Sequence, residues 1–292
     1  MDFKNAAELL SICEENGMKI SAVMLRRECD ETECTAEEAV EKMRKALKIM
    51  RSSVTKPLEH PRKSMGGLIG GECSKLNRRL QSGQSLCGPL LGRAVTYSMG
   101  VLEVNASMGL IVAAPTAGSA GVMPGVMLAM QDEYGFSDGE VIDALFNASA
   151  VGYLAMRNAT VAGAVGGCQA EIGVASAMAA SAAVELMGGT PKQSLNAAST
   201  VLMNMLGLVC DPVGGLVEYP CQSRNAAGAS NAIIAAEIAL SGIEQLIPFD
   251  EMLDVMYKVG RRLPMELRET ALGGCAAAPS ACALCGKGKK KQ

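Results

Sequence analysis

The sequence has few aromatic residues and no tryptophan. Only 3% of its 292 residues are aromatic although 49% are hydrophobic, so small apolar residues and 19 methionines supply most of the apolar content. Small side chains allow helices to approach closely, and methionine fills irregular gaps between them. We therefore expect a mainly α-helical fold, built as a compact bundle of helices rich in small residues, with loops rich in glycine and proline.

Long uninterrupted hydrophobic runs are also missing. Prolines such as Pro115 and Pro124 interrupt the longest uncharged stretches, and other such stretches consist of alanine, serine and glycine. A membrane span needs about 20 apolar residues, so we expect none. The opening MDFKNAAELLSICEENG lacks the apolar core of a secretory signal, which predicts a cytoplasmic protein whose 11 cysteines stay reduced.

The chain does not carry a strong charge of either sign. Its formal net charge of −3 does not favour nucleic acid or an anionic membrane surface as a partner. Phosphate-binding motifs are missing too, because Gly286-Lys-Gly288 is the only Gly-x-Gly and no P-loop pattern occurs. A small-molecule substrate fits this composition better than a nucleotide or a nucleic acid.

Several helix starts can be read directly as capping boxes, in which the first and fourth residues exchange side-chain to backbone hydrogen bonds. The sequence contains three: Thr35 with Glu38, Ser137 with Glu140, and Thr190 with Gln193. Gly188 and Gly242 lie where left-handed residues end helices. With the spacing of apolar residues, these signals predict helices at about 138–156, 170–187, 191–207, 223–241 and 250–262.

Composition divides the chain into three parts. Residues 1–55 are predicted to be an N-terminal helical extension, and residues 56–282 a compact domain. The segment 51–71 contains two prolines and two glycine pairs, so we interpret it as a linker or an ordered loop. The pattern near 93–114 leaves room for a few short strands, and the basic end, residues 283–292, is predicted to be a disordered tail.

Three cysteines stand apart from the others. Cys168, Cys210 and Cys221 each lie where a predicted helix meets a turn rich in glycine or proline. Free backbone N–H groups at such junctions stabilise thiolates and cluster sulfides. Three thiolates without a nearby fourth predict a metal or cluster with one open coordination position, as a Lewis acid requires. The alternative is three buried structural cysteines, because free cysteine is among the most buried residue types.

A glycine-rich stretch, APTAGSAGVMPG, contains Thr116, Gly118 and Ser119. Its glycines allow backbone N–H groups to turn toward one point, which suits a substrate carboxylate. A tight loop leading into a helix explains the same pattern equally well. Four other polar residues are candidates either for hydrogen bonds to a substrate or cluster or for simple caps and turns: Asn105, Ser107, Asn158 and Thr160.

The chain has no evident proton acceptor. Its single histidine, His60, lies in the proline-rich segment LEHPRK and is interpreted as an exposed loop residue. The remaining cysteines outside the C-terminal segment show no metal-ligand spacing and are interpreted as structural or incidental: Cys13, Cys29, Cys34, Cys73 and Cys87.

Four segments of the chain resemble the alpha subunit of the iron-sulfur-dependent L-serine dehydratases, also called L-serine ammonia-lyases. They are RNATVAGAVGGCQAEIGVASAMAA, LGLVCDPVGGLVEYPC, NASMGLIVAAPTAGSAGVMPG and RETALGG, and the resemblance extends over residues from about 15 to 282. It implies a 4Fe-4S cluster held by Cys168, Cys210 and Cys221, whose fourth iron takes the serine hydroxyl. Water would then be eliminated, and the aminoacrylate product would give pyruvate and ammonia.

The resemblance also has implications for partners and for the C-terminus. In two-chain members a beta subunit carries a histidine proposed as the base, so we expect an alpha-beta heterodimer or a multiple of it, with the site near the contact. The resemblance favours the carboxylate interpretation of the loop at Gly118. Some members end in a cysteine that covers the open iron, and Cys282 lies within one position of that residue, although Cys285 and a lysine-rich tail follow it.

Two alternative functions remain open from the sequence. The first is an L-cysteine desulfidase of the same fold, in which the open iron takes a thiol instead of a hydroxyl. The second is a non-catalytic partner protein that binds an iron-sulfur cluster or zinc through purely structural cysteines.

Overall fold

The computed structural model describes residues 1–284, and within that range it consists of helices and loops without a β-strand. An isolated bridge between Cys210 and Arg268 is the one β-type pairing in this range. The prediction of a mainly α-helical fold is therefore confirmed. Cys285 and residues 286–292 of the predicted basic tail lie outside the described residues.

Thirteen α-helices occur within residues 1–284. The first six are α1 Ala6–Asn16, α2 Ile20–Thr32, α3 Ala36–Glu59, α4 Glu72–Gln81, α5 Gly88–Ala106 and α6 Val122–Tyr134. The others are α7 Asp138–Asn158, α8 Gly163–Gly166, α9 Val174–Leu186, α10 Pro191–Asn204, α11 Cys221–Leu240, α12 Phe249–Arg262 and α13 Pro279–Leu284. A π-helical turn, Gln169–Gly173, leads directly into α9, and a 3-10 turn, Ala117–Ser119, precedes α6.

The predicted helix starts are confirmed. Reciprocal capping-box hydrogen bonds open α3, α7 and α10 at Thr35, Ser137 and Thr190. The residues that follow α9 and α11 include Gly188 and Gly242, which have left-handed backbones with φ of 79° and 83°. Local hydrogen-bond chemistry therefore decides where these helices begin and end.

The interpretation of residues 51–59 as a loop is wrong, because α3 continues to Glu59 and has Pro57 inside it. Proline removes one hydrogen bond from a helix interior. The Pro57 ring is buried, and a Cβ placed on Gly100 of α5 would lie 3.1 Å from its Cγ. Ser74 Oγ donates to the carbonyl oxygens of Pro57 and Leu58, each at 3.2 Å. The packing of the Pro57 ring and the hydrogen bonds from Ser74 offset the free-energy cost of the N–H group that Pro57 lacks.

The expectation of short strands near 93–114 is also wrong. Residues 88–106 form the single helix α5, and residues 107–116 form a loop. Small residues explain this outcome, because Ala94 and Ser98 on α5 lie against glycines at the start of α6. A Cβ at Gly125 would lie 2.8 Å from Ser98 Cβ and 2.9 Å from the Ala94 carbonyl oxygen. Close helix contact outweighs the strand preference of the local sequence.

Helix α9 is the most enclosed element of the bundle. Every residue from Val174 to Glu185 is buried, and α9 packs against α6, α7, α10 and α11. The approach of α11 is very close at Gly228, where a Cβ would lie 2.6 Å from Ser176 Oγ and 2.7 Å from Ile172 Cγ2. Small residues therefore determine how near the surrounding helices come to α9.

Buried polar contacts attach the N-terminal helices to this core. Asn147 Nδ2 in α7 donates to Glu185 Oε2 in α9 at 2.6 Å, and Ser181 Oγ donates to Asn147 Oδ1 at 2.6 Å. The N–H of Ser21 in α2 donates to the same Glu185 oxygen at 3.3 Å. Buried residues of α1, α2 and α3 belong to the same hydrophobic cluster as those of α9.

Among residues 1–284, no helix has both the length and the apolar content needed to cross a membrane.

Two glycine-to-alanine variants test the role of close helix approach. We expect Gly228→Ala to lower the free energy of unfolding by about 1–3 kcal/mol, because its Cβ would overlap Ser176 and Ile172. The matched control is Gly139→Ala in α7, where the nearest atom would be 3.7 Å away and alanine favours the helix by up to about 1 kcal/mol. Urea denaturation measures both values. Equal stability of the two variants would contradict the packing argument.

Candidate functional site

The three singled-out cysteines lie at helix starts and junctions. Cys168 precedes the π-helical turn, Cys210 lies in the segment between α10 and α11, and Cys221 is the first residue of α11. All three are buried, with 3%, 3% and 8% of their surface exposed. All three thiols are therefore largely shielded from solvent.

Two of these thiols lie very close together. The Sγ atoms of Cys168 and Cys210 and a carboxylate oxygen of Glu171 all lie within 4.8 Å of one another. The hydrogen bond with Cys168, together with burial, raises the pKa of the Cys210 thiol. Burial, with a smaller contribution from Cys168, raises the pKa of Cys221 to about 12. Cys221 therefore lies in the neighbourhood of Cys168, but outside the closely spaced group.

Glu171 is the residue of this group that the sequence analysis did not single out. It lies in the π-helical turn, and such turns occur frequently at functional sites. Thr116 Oγ1 donates to its Oε1 at 2.8 Å, and its Oε2 lies 4.0 Å from Cys210 Sγ. A sequence signal was present, because Glu171 is the only charged residue between Arg157 and Glu185.

The space for this carboxylate depends on glycine. A Cβ at Gly163 would lie 2.6 Å from Glu171 Oε2 and 3.1 Å from Cys210 Sγ, so a larger residue would displace one of them. Burial raises the pKa of Glu171, the charge of Glu269 raises it further, and the hydrogen bond from Thr116 opposes the shift. The site thus encloses a carboxyl group next to two thiols.

Arg224 in α11 supplies positive charge beside the sulfurs. Its Nη1 lies 3.7 Å from Cys168 Sγ, donates to Asp211 Oδ1 at 2.6 Å, and donates to the Val209 carbonyl oxygen at 2.9 Å. The guanidinium thus places a positive charge beside the Cys168 sulfur. Asp211, which follows Cys210 in the sequence, therefore orients the Arg224 guanidinium that faces Cys168 Sγ.

The glycine-rich loop lies on the other side of Glu171. Thr116 caps the 3-10 turn, and Thr116 and Ser119 exchange side-chain to backbone hydrogen bonds. Asn225 in α11 holds the loop from both sides: its Nδ2 donates to the Gly118 carbonyl oxygen at 2.8 Å, and its Oδ1 accepts from the Gly121 N–H at 3.0 Å. Within the described part of the chain, the N–H groups of residues 117 and 118 have no protein acceptor.

The side chains of the other four candidate polar residues bond to backbone groups. Asn105 Nδ2 donates to the Ala117 carbonyl oxygen at 3.0 Å and so supports the glycine-rich loop. Ser107 Oγ donates to a carbonyl oxygen at the end of α5, and Thr160 Oγ1 accepts from the N–H of residue 162 in a turn. Asn158 Nδ2 donates to the Lys4 carbonyl oxygen at 2.8 Å. In the structure these three side chains make cap, turn and N-terminal contacts.

The C-terminal segment is held against the cysteine segment by backbone pairing. The N–H of Cys210 donates to the Leu267 carbonyl oxygen at 2.9 Å, and the N–H of Glu269 donates to the Cys210 carbonyl oxygen at 2.7 Å. Farther along, Asp211 Oδ2 accepts from the Cys275 N–H at 2.6 Å. Cys282 Sγ donates to the Ala276 carbonyl oxygen at 3.7 Å and is not part of the closely spaced group.

The sole histidine lies outside the closely spaced group as well. His60 follows α3 and is exposed, as the sequence predicts. It borders a cavity of about 280 Å³ together with Lys56 and Arg62.

A sequence profile of the family described as "Serine dehydratase alpha chain" matches residues 15–276. The chain belongs to the serine dehydratase alpha chain family. Its resemblance to this family, noted from the cysteine and glycine motifs, is confirmed.

Named members of the serine dehydratase family are similar over most of the chain. The "Probable L-serine dehydratase, alpha chain" of Bacillus subtilis (strain 168) is 50% identical over 95% of this chain and 92% of its own length. The "L-serine dehydratase, alpha chain" of Peptoniphilus asaccharolyticus is 44% identical over 93% of each chain. The "L-serine dehydratase" of Streptomyces coelicolor is 36% identical over 94% of this chain, but over only 60% of its own length.

The contact between Asp211 and the C-terminal segment can be tested by hydrogen exchange. We expect Asp211→Asn to accelerate amide exchange in residues 268–278 by roughly 10-fold, because hydrogen bonds to a charged group contribute about 1.5–3 kcal/mol. The control is Asp254→Asn, which changes an exposed carboxylate paired with Lys258 on α12. Unchanged exchange in the Asp211 variant would show that the backbone pairing alone holds the segment.

Proposed function

We propose that this chain is the alpha subunit of an L-serine ammonia-lyase, which eliminates water from L-serine through an open-site 4Fe-4S cluster and yields pyruvate and ammonia. The observation that supports this most is the buried pair of thiols, Cys168 and Cys210, with Cys221 nearby and a glycine-rich loop beside them. Family membership supports serine dehydration as the reaction class.

The donor set fits an iron-sulfur cluster. Thiolates are the ligands that hold such clusters, and Cys168, Cys210 and Cys221 are the residues that would hold this one. Arg224 compensates negative charge at Cys168, and Gly163 leaves space beside Cys210. When bound, the cluster supplies a Lewis acid for the departing hydroxyl group, since hydroxide alone is a poor leaving group.

The glycine-rich loop is the proposed carboxylate site. The free N–H groups of residues 117 and 118 and the hydroxyl groups of Thr116 and Ser119 surround the start of the 3-10 turn. Backbone N–H groups in such a turn favour an anion. Asn105 and Asn225 hold the loop from outside and keep these donors oriented. We propose only an indirect contribution from three other side chains, because each of them bonds to a backbone group: Asn158, Ser107 and Thr160.

The proton acceptor is proposed to come from a second chain. His60 is exposed at the end of α3, and no other histidine exists in the sequence. The relatives with similar length are named alpha chains, whereas the Streptomyces relative is a longer chain of which this one spans 60%. We propose a beta subunit that supplies a histidine base, in an alpha-beta heterodimer or a multiple of it.

The cysteine ligands can be tested under anaerobic conditions with the partner chain present. We expect the complex to form pyruvate from L-serine and to show the visible absorbance of an iron-sulfur cluster. Cys168→Ala, Cys210→Ala and Cys221→Ala should each abolish both signals, because each removes one cluster ligand. Cys87→Ala, at an exposed cysteine, is the control and should keep both.

The same preparation distinguishes the alternatives. Full activity in any one of the three ligand variants would refute the ligand assignment. Preferential release of sulfide from L-cysteine would identify a desulfidase, and a colourless anaerobic protein that contains zinc would identify a non-catalytic metal-binding chain.

We also propose that Cys282 would cap a bound cluster in the absence of substrate. Cys282 follows Leu267 and Glu269, the residues that pair with Cys210, so a movement of the residues between Glu269 and Cys282 would be needed to bring its thiol to the cluster ligands. Cys282→Ser should lower the apparent KM for L-serine severalfold with kcat little changed, because a competing ligand is lost. An unchanged KM, measured beside the Cys87→Ala control, would exclude this role.

A further inference from the structure

We propose that Glu171 binds the α-ammonium group of the amino-acid substrate. The inference rests on the proposed function and assigns the one polar group of L-serine that the loop and the cluster leave without a partner. The carboxylate is assigned to the glycine-rich loop and the hydroxyl to the open iron.

The position of Glu171 satisfies the connectivity of the substrate. Its Oε1 bonds to Thr116 at the start of the loop, and its Oε2 lies 4.0 Å from Cys210 Sγ. The carboxylate therefore lies between the proposed carboxylate site and the cysteine sulfurs. In L-serine, the carbon that carries the ammonium group is bonded to both the carboxylate carbon and the hydroxymethyl carbon. An acceptor for the ammonium group must therefore lie within reach of both other subsites, and Glu171 contacts a residue at each of them.

The charge distribution around Glu171 also favours a cation. No lysine or arginine within residues 1–284 forms an ion pair with it, and its direct hydrogen-bond donors are the neutral groups of Thr116 and Cys210. The nearby guanidinium of Arg224 is occupied by Asp211 and Cys168. A partly enclosed carboxylate without a positive partner is unfavourable, and a bound ammonium group would compensate it.

A carboxylate oxygen of Glu171 lies within 4.8 Å of the Cys168 and Cys210 sulfurs. The competing role for Glu171 is therefore that of a metal ligand. The two roles have different consequences. A metal ligand is needed to retain iron, whereas an ammonium acceptor is needed only to bind amino acids. Iron content and substrate selectivity therefore separate them.

The test uses the alpha-beta complex loaded with its cluster under anaerobic conditions. L-Serine and L-glycerate, which has a hydroxyl in place of the ammonium group, are titrated by rapid mixing, and the visible absorbance of the cluster is read before appreciable turnover. We expect Glu171→Gln to weaken L-serine binding at least about 10-fold, because a charge-assisted hydrogen bond is lost. Binding of L-glycerate should change less than threefold, and iron content should stay at the value of the unaltered complex.

A shortened carboxylate provides a second variant. Glu171→Asp keeps the charge but withdraws it by one methylene, so it should retain part of the preference for L-serine over L-glycerate. Glu251→Gln, which neutralises an exposed carboxylate on α12, is the matched control for loss of one charge and should leave both dissociation constants unchanged.

Several results would overturn the proposal. Loss of iron in both Glu171 variants would make the residue a metal ligand or a purely structural group. Equal weakening of L-serine and L-glycerate, or unchanged L-serine binding in Glu171→Gln, would remove the ammonium role. If the unaltered complex neither binds nor converts L-serine, the proposed function itself fails, and that result is recognised before any variant is made.

Discussion

The close packing of small residues around α9 is the constraint on which the rest of the structure depends. Every residue from Val174 to Glu185 is buried, and neighbouring helices present glycine at their closest approaches to α9, as Gly152 of α7 and Gly228 of α11 do. Gly228 on α11 is the clearest case. This packing sets the position of α11, and α11 begins with Cys221 and carries Arg224 and Asn225. The geometry of the site therefore follows from helix contacts that are themselves apolar.

The site is assembled where the ends of helices meet this core. The π-helical turn before α9 carries Glu171 and follows Cys168, while Arg224 of α11 contacts Cys168 and Asn225 of α11 contacts the glycine-rich loop. Polar groups in such an enclosed region must be paired, because unpaired burial is costly. Most of them are paired here, and among residues 1–284 Glu171 has only neutral donors as direct partners.

Local sequence signals predicted the helix boundaries well and the connections less well. Capping boxes at Thr35, Ser137 and Thr190 are determined by residues three positions apart, so the sequence alone contains the needed information. The extension of α3 through Pro57 and the helical state of residues 93–106 depend on contacts with residues far away in the chain. Packing against Gly100 and the bonds from Ser74 outweigh the local preference there.

The sequence by itself determined the helical class, the helix starts and the family, because capping chemistry, small-residue content and the cysteine and glycine motifs are all local properties. Tertiary structure alone decided which side chains meet. It placed Glu171 between Thr116 and Cys210, although 55 and 39 positions separate these residues in the chain. It also placed Arg224 beside Cys168 and used Asn158 to hold the N-terminal segment. The physical reason is that burial and pairing of polar groups depend on neighbours brought together by helix packing, which no local pattern encodes.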